Sequence, residues 1–473
     1  MTLLHRTALL IYFLSSSSAH ILSIRDGNAR DEDSPDFQGW TAQPDGRGTL
    51  DILWSCLFTI FLCSWAVLCL NVPAEDDNYW RPIWRKFCLT GLGVLGPEFI
   101  LQSALGQWLS ARRSVKDFTG SGFVHWSMSH AFFADMGGFV LHTVDWVPFP
   151  IDAKQLHYLV VHSYLPLPSI TKRDIKDRNK VDALLRMITV LQTIWFVTNC
   201  LGRVAQSLPI TTFELTTVGF IFCTLGTHIC WAHKPAEVAV PVVLHCKTPI
   251  RRILVDAGDK GISPYSQTPL DFISRKEWSW SLWWNLMLNT VRRAGIRFRP
   301  KTRPITRIPN DNWPEIPPAG VFVLACVDMI YAGIYMAGWN FTFATPVERL
   351  LWRISTTTIL GVVVAYLFVE SYTFWLLPVL PSKLQAFLSS SSKPVSRKAS
   401  SRLQMFLAWM RNSSPTRDEQ LYIPLKASLP ITLAGIVYLV ARSYILIECF
   451  LAVRKLPSDA YKTVEWSAFL PHV

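Results

Sequence analysis

Five carboxylates stand where lipid does not tolerate a lone charge. Glu98, Glu214, Asp328, Glu370 and Glu448 fall within or at the margins of long apolar stretches. A charge at bilayer depth costs about 2.5–3.5 kcal/mol on insertion scales, so such residues face a protein interior or a wet cavity. The chemistry they offer is proton transfer or ion pairing. Glu98 is the sharpest candidate, because Gly91, Gly93, Gly96 and Pro97 interrupt the apolar run directly ahead of it. Proline removes a backbone donor and glycine loosens a helix. A carboxyl at such a break can serve as an acid or base; the structural alternative is that it pairs with an arginine or caps the helix after Pro97.

Asp135 and His228 are the expected assistants of Glu98 in acid–base catalysis. Asp135 lies in an aromatic and glycine-rich run with His125, His130 and His142 around it. His130 and Asp135 are five apart and do not share a helix face, so a metal pair is poorly supported and no metal or cofactor is expected. His228 is in the stretch Thr227–Pro235 at the end of an apolar segment, where a histidine acts as acid or base or simply finds a hydrogen bond. Arg442 and Glu448 are six apart in the last apolar segment, too far for a pair along one helix. Each needs a partner elsewhere, and Glu98, Glu214, Asp328 or Glu370 would satisfy Arg442. A third reading is a structural scaffold, in which the carboxylates only pair with Arg186, Arg203 and Arg442. There is no Walker A loop, no G-x-S-x-G elbow, no H-E-x-x-H and no D-D-x-x-D in the chain. Nucleotide hydrolysis and metal-dependent prenyl transfer are therefore unsupported.

The elements that must position these residues are apolar. The chain has 473 residues, 17% of them charged and 50% hydrophobic, against about 25% charged in soluble domains. Ile52 to Leu70 carries no charge and is long enough to cross a hydrocarbon core of about 30 Å. Further spans are expected at Leu184–Leu201, Thr211–Trp231, Ala319–Trp339, Ile354–Leu377 and Leu429–Val453. The fold class is all-α, a polytopic transmembrane helical bundle of about 6–8 spans. The net charge of +12 comes from Lys and Arg between apolar segments, which is the positive-inside pattern rather than a nucleic-acid surface. Basic clusters at Arg81–Lys86, Arg112–Lys116 and Lys172–Lys180 all fall on one side if Phe87–Trp108 is re-entrant. If that segment crosses, a second crossing is needed at Phe132–Val147, which contains Asp135, His142 and Asp145.

Residues 1–19 read as a signal peptide, with Arg6, the apolar Thr7–Leu14 and a small-residue site at Ser17-Ser18-Ala19. Residues 20–51 follow as a polar lumenal segment. Residues 52–231 form a first membrane region with a cytoplasmic or interfacial loop at about 109–182. Residues 232–318 hold fourteen Lys or Arg against seven Asp or Glu and read as a cytoplasmic loop. In that loop Trp278, Trp280, Trp283 and Trp284 ahead of Arg292-Arg293 suit an interfacial helix. A second membrane region spans 319–453, interrupted by a basic Ser-rich stretch at 389–402, and 454–473 is a tail. Asn340-Phe341-Thr342 is a glycosylation sequon that this topology puts in the lumen. The ten cysteines include no CxxC pair and read as apolar packing residues. No internal repeat of the transporter kind is visible.

Several stretches together resemble a family of multi-pass membrane proteins of filamentous fungi. They are Gly39–Thr49, Gly96-Pro97-Glu98, Ala111-Arg112-Arg113, His130–Phe139 and Cys230–Pro235. Trp339-Asn340-Phe341, Pro346–Arg349 and Tyr461–Pro471 complete the set. The resemblance implies a fungal endomembrane protein, and some members accompany specialised-metabolite pathways. It transfers no mechanism residue by residue. A weaker similarity is to fungal wax-synthase-like O-acyltransferases, whose arginine-tryptophan-histidine motif meets Ser281-Leu282-Trp283-Trp284-Asn285 here, without histidine. The expectation is a membrane-embedded enzyme or accessory subunit acting on an apolar isoprenoid or polyketide. Its partners would be the lipid bilayer, a hydrophobic small molecule and other pathway enzymes, with no nucleic acid. A proton-coupled transporter or channel is the alternative.

Overall fold

The computed structural model describes residues 37–42, 46–178, 183–262, 303–311, 316–371 and 425–466, with scattered positions between 265 and 314. The signal-like segment, Trp278, Trp280, Trp283, the 389–402 stretch and the chain end beyond Trp466 lie outside the described residues. So does the Ser281–Asn285 stretch except for Trp284.

Among the described residues the molecule is mostly helical, and six helices are long and apolar enough to cross a membrane. They are built on α1 (Thr49–Phe61, continued as a π-helical turn to Ala66), α6 (Ala183–Ala205), α7 (Thr212–Cys230), α8 (Pro318–Met336), α9 (Pro346–Ser371) and α10 (Leu425–Ala452). Local signals set their starts. Asp51 accepts the Gly48 N–H at the head of α1, and Thr211 caps α7 by accepting the Glu214 N–H. The span expected from Ile354 begins earlier, at Pro346, because Thr345 receives the Glu348 N–H and opens the helix there.

Between α1 and α6 lie α2 (Trp80–Leu95) and α3 (Pro97–Gly120), bent by 113° at Gly96. Next come α4 (Met128–Asp135) and α5 (Ala153–Val161). The bundle has two recognisable ends. At one, β1 (Phe37–Gln38) pairs antiparallel with β5 (Leu456–Pro457), so both tails of the described chain meet there. The start of α7 joins this end, where Arg47 pairs with Glu214, and so does the start of α9, where Arg454 pairs with Glu348. Away from the break, Lys86 in the first half of α2 pairs with Glu237, just past the end of α7. Ser110, just past the middle of α3, is tied to Asp135 at the end of α4. Both legs of the bent pair therefore return to the same end.

The all-α expectation needs correction at that second end. β2 (Phe139–His142) pairs antiparallel with β3 (Phe149–Ile151) and parallel with β4 (Val242–His245). Gly137, at φ +84°, and Gly138 end α4 and turn the chain into the strand. Phe132–Val147 is thus a short helix, a turn and a strand, not a crossing. The two segments expected as loops, 109–182 and the start of 232–318, fold against each other. Their shared core includes Phe118, Trp126, Phe133, Phe139, Leu156 and Ile253. Asp145 accepts the N–H groups of Ile250 and Arg251, fixing the short helix Ile250–Asp256 to the sheet.

Candidate functional site

The break at Gly96 creates the site. The Gly96 N–H closes α2 on Leu92 O at 2.9 Å, and Pro97 opens α3 at a position where no N–H is needed. A Cβ on Gly96 would lie 2.6 Å from the Phe99 ring and 3.0 Å from Glu98 Oε1, so the turn has no space for a side chain. The Leu95 carbonyl is left without a helical partner and accepts Arg442 Nε at 3.0 Å. Glu98, in the first turn of α3, receives the Tyr438 hydroxyl on Oε1. Tyr438 and Arg442 are one turn apart on α10 and present one face to the break.

Helix α8 supplies the opposite wall. Arg442 Nη1 donates to the Tyr335 hydroxyl, which donates to Tyr331 at 3.2 Å. The guanidinium lies 5.0 Å from the Tyr335 ring and 5.4 Å from Phe220, within cation–π range. Asp328 lies three residues before Tyr331 on α8 and accepts Gln102 Nε2 from α3 at 3.2 Å. All of these groups except Gln102 are buried, and Arg442 is fully so. Glu98 Oε2, Asp328 Oδ1 and Arg442 Nη2 have no hydrogen-bond partner among the described residues. Glu98 and Arg442 attract each other electrostatically without a direct N···O contact within 4 Å. The arrangement is two carboxyls, one guanidinium and three phenols in a buried interior. It can hold a proton in more than one place, because phenol and carboxyl can each donate or accept.

Asp135 and His228 do not join Glu98. Asp135 lies at the second end of the bundle, accepting Ser110 Oγ and the Ala153 N–H, each at 3.0 Å. Ser110 and Glu98 are twelve residues apart on α3, about 18 Å at helical rise. Burial, and next the neighbouring Asp152 charge, push the Asp135 carboxyl up to about 7. His228 sits in the last turn of α7 with a buried Nε2 that has no hydrogen-bond partner among the described residues. His130 is held by Ser127 and by the Ile170 carbonyl at 3.0 Å, a structural role. No group of three metal-binding side chains occurs among the described residues.

The other carboxylates separate in the same way. Glu214 pairs with Arg47 and lies 3.9 Å from Arg203, while Glu448 receives Tyr444 Oη at 2.9 Å. Neither reaches Arg442. Glu370 lies on α9, and its side chain is outside the described residues. Asn340 is exposed at the end of a 3-10 turn after α8. Residues not foreseen at the site are Gln102, Tyr331, Tyr335 and Tyr438. The four-residue spacings Tyr331/Tyr335 and Tyr438/Arg442 inside apolar helices are the signal that could have found the three tyrosines; nothing in the sequence marks Gln102.

Fold and site define a mostly helical protein with six membrane-length apolar helices among the described residues and a buried, charged and phenolic cluster between α3, α7, α8 and α10. A family of unknown function, DUF8562, matches residues 16–253 and 321–473, and the chain belongs to it. No curated protein and no solved structure matches the chain.

Proposed function

We propose that this chain is a multi-pass integral membrane protein of the fungal endomembrane system whose Glu98 cluster performs acid–base work on an apolar intermediate, an isoprenoid or polyketide. Six crossings with α2–α3 as a re-entrant hairpin fit the return of both hairpin legs to one end. That end then faces the cytoplasm, and Asn340 the lumen. The observation that carries the functional reading is the cluster itself. Glu98 and Asp328 keep unpartnered oxygens in a closed interior beside Arg442 and three tyrosines. A partly satisfied buried network is costly, and functional sites are where acid–base groups carrying such a cost are retained. The test is Glu98→Gln in a producing host. Loss or change of the product at normal protein level is expected; an unchanged product profile sinks the role of Glu98.

Proton-coupled transport is the second reading, favoured by the helix break. The Leu95 carbonyl and the start of α3 stand together beside buried carboxylates, an arrangement that ion-coupled transporters use. Conversion of supplied precursor by isolated membranes supports the enzyme. Finished product retained inside cells lacking the protein supports export.

A further inference from the structure

Three arginines were expected to meet carboxylates, and among the described residues Arg186 alone meets neither an acid nor a backbone carbonyl. Arg203 donates to the carbonyls of Pro209, Ala460 and Lys462 and lies 3.9 Å from Glu214. Arg442 donates to the Leu95 carbonyl and to Tyr335. Arg186, in the first turn of α6, gives its side-chain hydrogen bond to Cys69 Sγ at 3.4 Å. A thiol is a weak acceptor, and a guanidinium has five donors. The other nitrogens of Arg186 have no partner among the described residues. Unlike Arg442 Nη2 they are not enclosed, and the residue is only half-buried.

The surroundings of Arg186 are positive in charge. Cys69 feels the charges of Lys234, Arg186 and Lys86, and His228 on α7 feels Arg186 as well. Glu237 pairs with Lys86, while Asp311 and Asp135 lie on the Lys234 side. Both lysines are buried, so Arg186 is the cation of this group that a ligand reaches from outside without any opening. The surface beside it is apolar, with Leu184 and Met187 of α6 and Ile229 of α7 exposed. Arg186 stands two residues inside the membrane-length segment Leu184–Ala205, about 3 Å at helical rise. That is the depth of a bilayer headgroup.

We propose that Arg186 binds the phosphate of an anionic phospholipid, with the acyl chains lying on the apolar outer faces of α6 and α7. The inference rests on the reading that α6 and α7 cross a membrane with this end in the cytoplasm, and it does not use Glu98. A guanidinium meets phosphate oxygens through two parallel N–H donors. Basic sites between membrane helices on the cytoplasmic side hold such headgroups. The positive surroundings favour an anionic headgroup over a zwitterionic one.

The test is binding of radiolabelled phosphatidic acid, phosphatidylcholine and diacylglycerol, with matched acyl chains, to the full-length protein in neutral detergent. Wild type should prefer phosphatidic acid to the other two. Arg186→Met should weaken phosphatidic acid binding about fivefold, the effect of one cation at a phospholipid surface, and leave diacylglycerol unchanged. It should fold, because it removes one bond to a thiol, and Arg186→Lys should keep most of the affinity. Arg353→Met, near the start of α9 at the opposite end of the bundle, should bind as wild type does. Excess inorganic phosphate should not displace the lipid. A loss below twofold in Arg186→Met, or an equal loss in Arg353→Met, overturns the proposal. So does equal binding of phosphatidic acid and phosphatidylcholine in wild type, or displacement by inorganic phosphate, which would mark a site for a soluble anion. Release of the protein from membranes by alkaline carbonate overturns the membrane reading itself; retention with any of the preceding results overturns this site alone.

Discussion

Arg442→Met tests whether the buried cluster is held by charge or only by hydrogen bonds. Methionine fills similar space but removes the positive charge, the bond to the Leu95 carbonyl and the bond to Tyr335. Stranding a buried charge costs about 3–5 kcal/mol, and losing the hydrogen bond to the part-buried Leu95 carbonyl costs about 1 kcal/mol. Arg442 is fully buried and Glu98 nearly so, and solvent does not screen the loss. A destabilisation of about 4 kcal/mol or more is expected. Glu98→Gln keeps an oxygen for Tyr438 and by itself should cost about 1 kcal/mol. In the double variant no carboxylate is stranded at position 98, so about 2 kcal/mol should return, within the range for groups sharing a network. The assay is SDS-titrated unfolding of all four proteins in mixed micelles. Losses that add to within about 0.5 kcal/mol would refute a charge-coupled cluster and leave only independent hydrogen bonds.

Asp135 supplies a pH prediction outside the membrane-length helices. Its folded value of about 7 lies above the ordinary 3.8, so the native state holds the proton more tightly than the unfolded chain. Stability from this group is therefore full at low pH and is lost as pH rises from about 4 to 7. Asp135→Asn keeps an acceptor for the Ala153 N–H, turns the Ser110 contact round so that the amide NH2 donates to the hydroxyl, and should flatten that part of the pH–stability curve, gaining on the order of a few kcal/mol at pH 8. Thermal unfolding at pH 4–8 checks this, and curves that run parallel for the two proteins refute it. Gly138→Ala would place a Cβ 2.5 Å from the Phe133 carbonyl and ring, which should cost about 1–3 kcal/mol or abolish folding. Gly333→Ala, with nothing within 4 Å, should be near neutral in the same unfolding assay. If the bundle end with Asn340 is lumenal, glycosidase treatment should increase the protein's mobility and Asn340→Gln should abolish the shift. A glycan retained by Asn340→Gln would contradict use of this sequon.

Apolar runs with the right length and few charges made six helices legible in the sequence, because that pattern alone satisfies a long uncharged backbone in lipid. The Gly-Pro interruption at Glu98 was legible too, since no continuous helix survives that sequence, and the basic clusters already argued that the chain turns back. Other features required the tertiary structure. Pairing of Phe139–His142 with Val242–His245 joins segments about a hundred residues apart, and no local periodicity encodes such a partner. Which acid meets Arg442 was open among four candidates. The packing of α8 and α10 against the Gly96 break brought Glu98, Tyr331, Tyr335 and Tyr438 to it and left Glu214 to Arg47 and Arg203. Sequence spacing fixes which face of a helix a residue occupies. Whether that face meets a carboxylate, a phenol or lipid is set by how helices distant in the chain pack, and that decided which acids share one buried site.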